Sequence, residues 1–146
     1  MRFLCDSNVF LALAVEQHAH HRRAAAWFGA LTSADTALFC QSTRTSFLRL
    51  LTQKIAADYV PLTNLDAWAV LDELMRDDAT GLEAEPHGLD MVWRQLADGT
   101  TSSPKLWMDA YLAAFAITGG LRMVTLDRDF RNFESHGLDL LLLSKP

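Results

Sequence analysis

The sequence predicts an α/β protein: a three-layer α/β/α sandwich around a mostly parallel central sheet. Three observations predict it. Short β-prone runs alternate with longer stretches of helical periodicity, and strands separated by helices pair in parallel through right-handed crossovers. The chain has 146 residues, the length of a single domain over 1–146. Apolar residues make up 50% of it against 21% charged, enough to fill a core on both faces of a sheet.

A first buried strand falls at 2–5, where Phe3, Leu4 and Cys5 follow Arg2. A helical turn follows at 9–14. Ala24, Trp27, Phe28 and Leu31 share a helical face and place a second helix over 18–31. A strand at 37–40 comes next. Ser42 or Thr43 can cap the following helix, in which Phe47, Leu50, Leu51 and Ile55 recur at helical spacing. Pro61 and Thr63-Asn64 open another helix with the stripe Leu65, Trp68, Leu71, Leu74 and Met75. A weak strand at 82–85 is stopped by Pro86, and a helix over 89–96 ends at Asp98-Gly99. Pro104 starts a helix over 106–118 that is apolar nearly all round and so lies deep against the sheet; Gly119-Gly120 stops it. Strands at 121–125 and 138–143 complete the set.

The net charge of −5 argues against a broad basic surface that coats nucleic acid. It leaves open a nuclease that grips phosphate through metal ions. Cys5 and Cys40 sit among apolar neighbours and read as small core residues in a reducing compartment, not as a disulfide scaffold. Asp6 and Asn8 interrupt any signal-peptide core, and the apolar run at 140–143 is too short to span a bilayer. The expectation is a soluble cytoplasmic protein with no membrane association.

In parallel α/β folds the ligand crevice lies beyond the carboxyl ends of the strands. Asp6 directly follows the first strand, and Asp127 follows the fourth, with Asp129 two residues on. Asp109 lies in the second turn of the helix opened by Pro104, among Trp107, Met108, Ala110, Tyr111 and Leu112, where a carboxylate is costly unless paired or bound to a cation. Acids gathered in one crevice repel one another, and a hard Mg²⁺ or Mn²⁺ ion resolves the repulsion. Such an ion binds phosphate oxygens and activates water, so phosphodiester hydrolysis is the natural reaction. Plainer readings stand beside this one: Asp6 as a helix N-cap, Asp127 and Asp129 as turn residues, Asp109 in a buried salt bridge.

Four segments carry a family resemblance: Phe-Leu-Cys-Asp-Ser-Asn-Val-Phe-Leu-Ala-Leu-Ala at 3–14, Phe-Leu-Arg-Leu-Leu-Thr at 47–52, Leu-Trp-Met-Asp-Ala-Tyr-Leu-Ala-Ala-Phe-Ala at 106–116 and Met-Val-Thr-Leu-Asp-Arg-Asp-Phe at 123–130. In this order they resemble the PIN-domain family and, within it, the VapC-type toxins of bacterial toxin–antitoxin modules. The resemblance implies a PIN-like fold and a Mg²⁺- or Mn²⁺-dependent endoribonuclease held inactive by a cognate VapB-type antitoxin. It implies a homodimer, for which the helix over 65–75 is a candidate interface. It carries the metal role onto Asp6, Asp109 and Asp127, with Asp129 at a more variable acidic position. Asn8 and Thr125 match polar positions beside the site. One departure stands out. The family usually places an acid early in the helix after the second strand, and here that stretch reads Thr43-Arg44-Thr45-Ser46. Either the metal has one ligand fewer, with affinity of millimolar order in the free protein, or the chain is a weakened relative acting through partner binding.

Other residues have plainer roles. His18, His20 and His21 lack the further ligands a zinc site needs. Arg44, Arg49 and Lys54, with Arg128 and Arg131, are suited equally to RNA phosphate contacts and to surface salt bridges. Trp27, Trp68 and Trp93 read as core or interface residues, whereas Trp107, close to Asp109, is placed to line the site. A phospho-acceptor signalling domain would want a paired acid at the first strand and a Lys after the last. Asp6 stands between Cys5 and Ser7, and the last Lys is Lys145, at the chain end.

Overall fold

The five strands are three or four residues long, and the three central ones are buried on both faces. In the computed structural model, which describes residues 1–143, β1 (Arg2–Cys5), β2 (Thr36–Phe39), β3 (Thr80–Leu82), β4 (Arg122–Thr125) and β5 (Leu140–Leu142) form one sheet in the order β3-β2-β1-β4-β5. All four neighbouring pairs are parallel. Leu4 is level with Leu38 on one side and Met123 on the other, so the three stack on one face of the sheet. Phe3 and Cys5, one residue either way, join Ala37, Phe39 and Val124 on the opposite face.

Two helical layers cover these faces. Beneath Phe3 and Phe39 lie α1 (Ser7–Ala14), α2 (His21–Gly29), α3 (Gln41–Leu51) and α4 (Asn64–Met75). Phe10 stacks on Phe39 with ring centroids 3.7 Å apart, and Phe47 meets both rings edge-on. Over Leu4 and Met123 lie α5 (Leu89–Leu96), α6 (Leu106–Gly119) and a 3-10 helix (Arg128–His136). Ala110, Ala113, Ala114 and Ala116 let α6 approach the sheet closely. The helix ends where Gly120 takes φ +64° and the Leu121 N–H donates to the Ala116 carbonyl at 2.9 Å, a left-handed cap that turns the chain straight into β4.

Several elements differ from expectation, each for a local reason. Cys40, not Ser42 or Thr43, is the N-cap of α3; Thr43 sits one turn in and accepts the Cys40 N–H at 2.9 Å. The second helix begins at His21 because a turn precedes it, with the His20 N–H on His18 Nδ1. β3 falls at 80–82, in register with Ala37 to Phe39 of β2, rather than at 82–85. The stripe on α4 splits: Leu71 is buried, while Leu65 and Trp68 are 79% and 52% exposed. The 3-10 helix had no counterpart in the sequence reading, although Phe130 and Phe133 stand at its i, i+3 spacing and both are buried. Lys145 lies outside the described residues. Among the described residues no helix is long and apolar enough to cross a membrane.

The strand order places the crevice. From β1 the chain moves outward through β2 to β3, then returns to the other side of β1 as β4. Neighbouring strands whose connections leave in opposite directions splay apart at their carboxyl ends. Asp6 and Asp127 follow those two ends.

Candidate active site

One buried hydroxyl joins the two strand ends. Thr125, the last residue of β4, is fully buried; its Oγ1 donates to Asp6 Oδ2 at 2.9 Å and accepts the Asp127 N–H at 3.0 Å. The Asp6 N–H continues the ladder onto the Val124 carbonyl at 2.9 Å. Thr125 thus sits beside the acids, and with no exposed surface its hydroxyl holds Asp6 and Asp127 in position. Asp6 occupies the cap position of α1 yet makes no side-chain capping bond, so helix capping does not account for its carboxylate.

Asp127 divides its oxygens. Oδ1 accepts the Asp129 N–H at 2.9 Å and caps the 3-10 helix, so the turn reading holds for that oxygen. Oδ2 faces Lys105 Nζ at 3.5 Å, and the same ammonium lies 2.8 Å from Asp129 Oδ2. Lys105 is the cap residue of α6, one turn before Asp109. Sequence reasoning passed over it. Its signal was the i, i+4 spacing to Asp109 directly after the helix-opening Pro104.

The electrostatics tie four acids into one cluster. Burial pushes the Asp109 carboxyl up to about 6; the Lys105 charge opposes the shift, and the charges of Asp127, Asp6 and Asp129 add to it. Burial likewise raises Asp6 above the usual carboxylate range, against the Thr125 hydroxyl and the Ser7 backbone and with help from Asp127. Hydrogen bonding to Asp129, with the charges of Asp127 and Asp129, raises Lys105. Two carboxylates, Asp6 and Asp109, whose surroundings disfavour the charged form are hard oxygen donors that suit a divalent cation. As the side chains stand, no three His, Cys, Asp or Glu among the described residues form a ready-made metal cage. That includes the histidines at 18, 20 and 21, where the His21 ring is engaged by the Ala12 carbonyl.

Beside α3 and α6 lies an open cleft of about 630 Å³ lined by Ser42, Thr45, Ser46, Arg49, Glu85, Met108 and Tyr111, among others. An aromatic recess of about 350 Å³ shares Ser42, Met108 and Tyr111 with it and adds Trp93, Pro104 and Trp107. Trp107 is 60% exposed, and its carbonyl accepts the Trp93 indole N–H at 3.0 Å. Trp27 packs edge-on against Phe3 within the core. Asn8 is exposed in the first turn of α1, two residues past Asp6. Arg44 does not line the cleft; its guanidinium donates to Gln41 Oε1 of its own helix. The cation acting on Asp109 is therefore Lys105 and not Arg44.

The chain matches the PIN domain family over residues 3–135. It is 45% identical to Ribonuclease VapC41 of Mycobacterium tuberculosis, covering 97% of this chain and 99% of the relative. Among solved structures it is similar to VapBC2 from Rickettsia felis, bound to a DNA fragment from their promoter, with a TM-score of 0.71 and 11% identity over 97% of this chain and 98% of the other. It is also similar to Mycobacterium tuberculosis VapC20, described as a sarcin-ricin loop cleaving toxin, with a TM-score of 0.64 and 16% identity over 99% of each chain. At those identities the two structures speak for the fold. The family match over residues 3–135 and the near full-length similarity to VapC41 place this chain in the PIN-domain family, among the VapC ribonucleases.

Proposed function

We propose that this chain is a Mg²⁺- or Mn²⁺-dependent endoribonuclease, the toxin of a toxin–antitoxin pair. The observation that carries the reading is the cluster itself: Asp109 on α6 and three further acids, Asp6 just past β1 and Asp127 and Asp129 just past β4, whose charges act on it. The near full-length similarity to a named ribonuclease supports the substrate class. The PIN-domain family is generally metal-dependent.

Asp6, Asp109 and Asp127 would hold the ion, with Asp129 at the rim. Bound there, a hard divalent cation supplies charge neutralisation at phosphate and lowers the pKa of water. The protein supplies position. Thr125 keeps Asp6 and Asp127 in fixed relation. Arg49 on the cleft wall is placed for a phosphate, Trp107 for stacking on an unpaired base, and Asn8 for a polar contact near the scissile bond. A small VapB-type antitoxin would silence the chain by covering this acidic groove, and a homodimer would be the working unit.

One observation favours a second reading, an inactive relative that acts through partner binding: α3 carries no carboxylate between Gln41 and Leu51. A single experiment separates the two. Incubated with RNA, the protein should cleave in Mg²⁺ or Mn²⁺ and stop in excess EDTA, and Asp6→Asn should be silent. Cleavage that survives EDTA would refute the metal-dependent mechanism. No cleavage under any metal would favour the second reading.

A further inference from the structure

The cation among these acids belongs to the chain itself. Lys105 Nζ bridges Asp129 at 2.8 Å and Asp127 at 3.5 Å, and its charge reaches Asp109. One ammonium thus acts on three of the four acids. It is not built in for good: the Lys105 side chain is 69% exposed and anchored at the first turn of α6 by a flexible stem. We propose that Lys105 is a displaceable internal counter-cation, which neutralises the cluster in the metal-free protein and competes with the divalent ion for Asp127 and Asp129. This rests on the metal-dependent reading above and assigns that site a built-in competitor.

The physics runs in two directions. Without metal, the ammonium offsets repulsion among carboxylates crowded at two strand ends. With metal, Asp127 and Asp129 give up Lys105, because a divalent charge at direct-ligand distance outweighs an exposed ion pair. The released ammonium then lies at the rim of the acidic crevice, where it meets a backbone phosphate of bound RNA. The same side chain therefore opposes metal binding and favours substrate binding. A purely structural salt bridge does neither.

The test uses the full chain, with Mn²⁺ as probe, in calorimetric titrations of the wild type, Lys105→Met and Lys105→Arg. Lys105→Met should bind Mn²⁺ about three- to tenfold more tightly. Its metal-free melting temperature should fall below wild type, and saturating Mn²⁺ should close that gap. Lys105→Arg should stay near wild type on both measures. With an RNA oligonucleotide, Lys105→Met should raise KM several-fold with little change in kcat. Unchanged or weaker Mn²⁺ binding by Lys105→Met would overturn the proposal, as would the absence of Mn²⁺ binding in all three proteins. The calorimetric arm reads no catalysis, so a wild type that binds Mn²⁺ but cleaves no RNA would fail the ribonuclease reading alone.

Discussion

Asp6 shows how a residue can be set against its own fold. Its carboxylate is raised by burial and by Asp127, so ionising it costs stability, and Thr125 and Ser7 return only part of that cost. Asp6→Asn keeps an oxygen for the Thr125 hydroxyl and removes the charge. Cleavage should fall on the order of 100-fold or more, while the melting temperature in EDTA rises by about 2–4 °C. A variant that melts lower, or still cleaves within tenfold of wild type, would contradict this placement. Asp109 adds a pH signature. Its folded value near 6 lies above the ordinary 3.8, so the native state binds its proton more tightly than the unfolded chain. Stability from this group is present below about pH 4 and is lost as pH rises through about 6. The side chain is half-buried, so solvent screening reduces the loss to about 1 kcal/mol. Thermal melts in EDTA from pH 4 to 7 should show Asp109→Asn gaining on wild type as pH rises. Parallel curves would exclude the effect.

The element in which the resemblance leaves a gap is α3, which carries no carboxylate. Its capping by Cys40 and Thr43 sets where each later side chain falls. Thr45 and Ser46 line the cleft, whereas the Arg44 guanidinium is tied back to Gln41. Replacing Ser46 by Glu therefore puts a carboxylate on the cleft wall without breaking the Arg44–Gln41 hydrogen bond. Ser46→Glu should tighten Mg²⁺ binding about tenfold from a millimolar-order starting value, and Arg44→Glu should do less. Calorimetry ranks the pair, and the reverse order would move the register of the missing acid by half a turn. Micromolar Mg²⁺ binding by the wild type would show instead that another acid already fills the gap.

At the scale of the molecule, α4 exposes two large apolar side chains beside its outward-facing acids Asp66, Asp72 and Glu73. Leu65 is 79% and Trp68 52% exposed, with Val60 80% exposed on the preceding segment. Large apolar side chains grouped on a surface mark interaction sites more often than chance exposure does. The homodimer expectation places them in the interface. Light scattering should give twice the chain mass of 16.3 kDa, and the double change Leu65→Glu with Trp68→Glu should return it to the monomer without lowering the melting temperature. A wild type that stays monomeric at high concentration would remove α4 from that role.

Periodicity carried most of the fold. Apolar runs buried on both faces read as parallel strands, and the all-round apolar helix at α6 read as central, because these patterns are local and the hydrophobic effect acts on them directly. Acids just past two strands pointed to a crevice for the same reason, through the geometry of parallel sheets. What was not legible depended on contacts between distant segments. The register of β3 came from β2, more than 40 residues earlier. The division of the α4 stripe into Leu71 inside and Trp68 outside came from which face met the sheet. Thr125 is an ordinary strand residue until β1 and β4 lie side by side, when its hydroxyl ties Asp6 to Asp127. Lys105 is an ordinary surface lysine until α6 sets it beside the β4 loop. Composition and spacing determined that acids would gather at one end of a parallel sheet. Only the tertiary structure decided which hydroxyl would position them and which cation would stand among them, because Coulomb energies depend on distance in space and not along the chain.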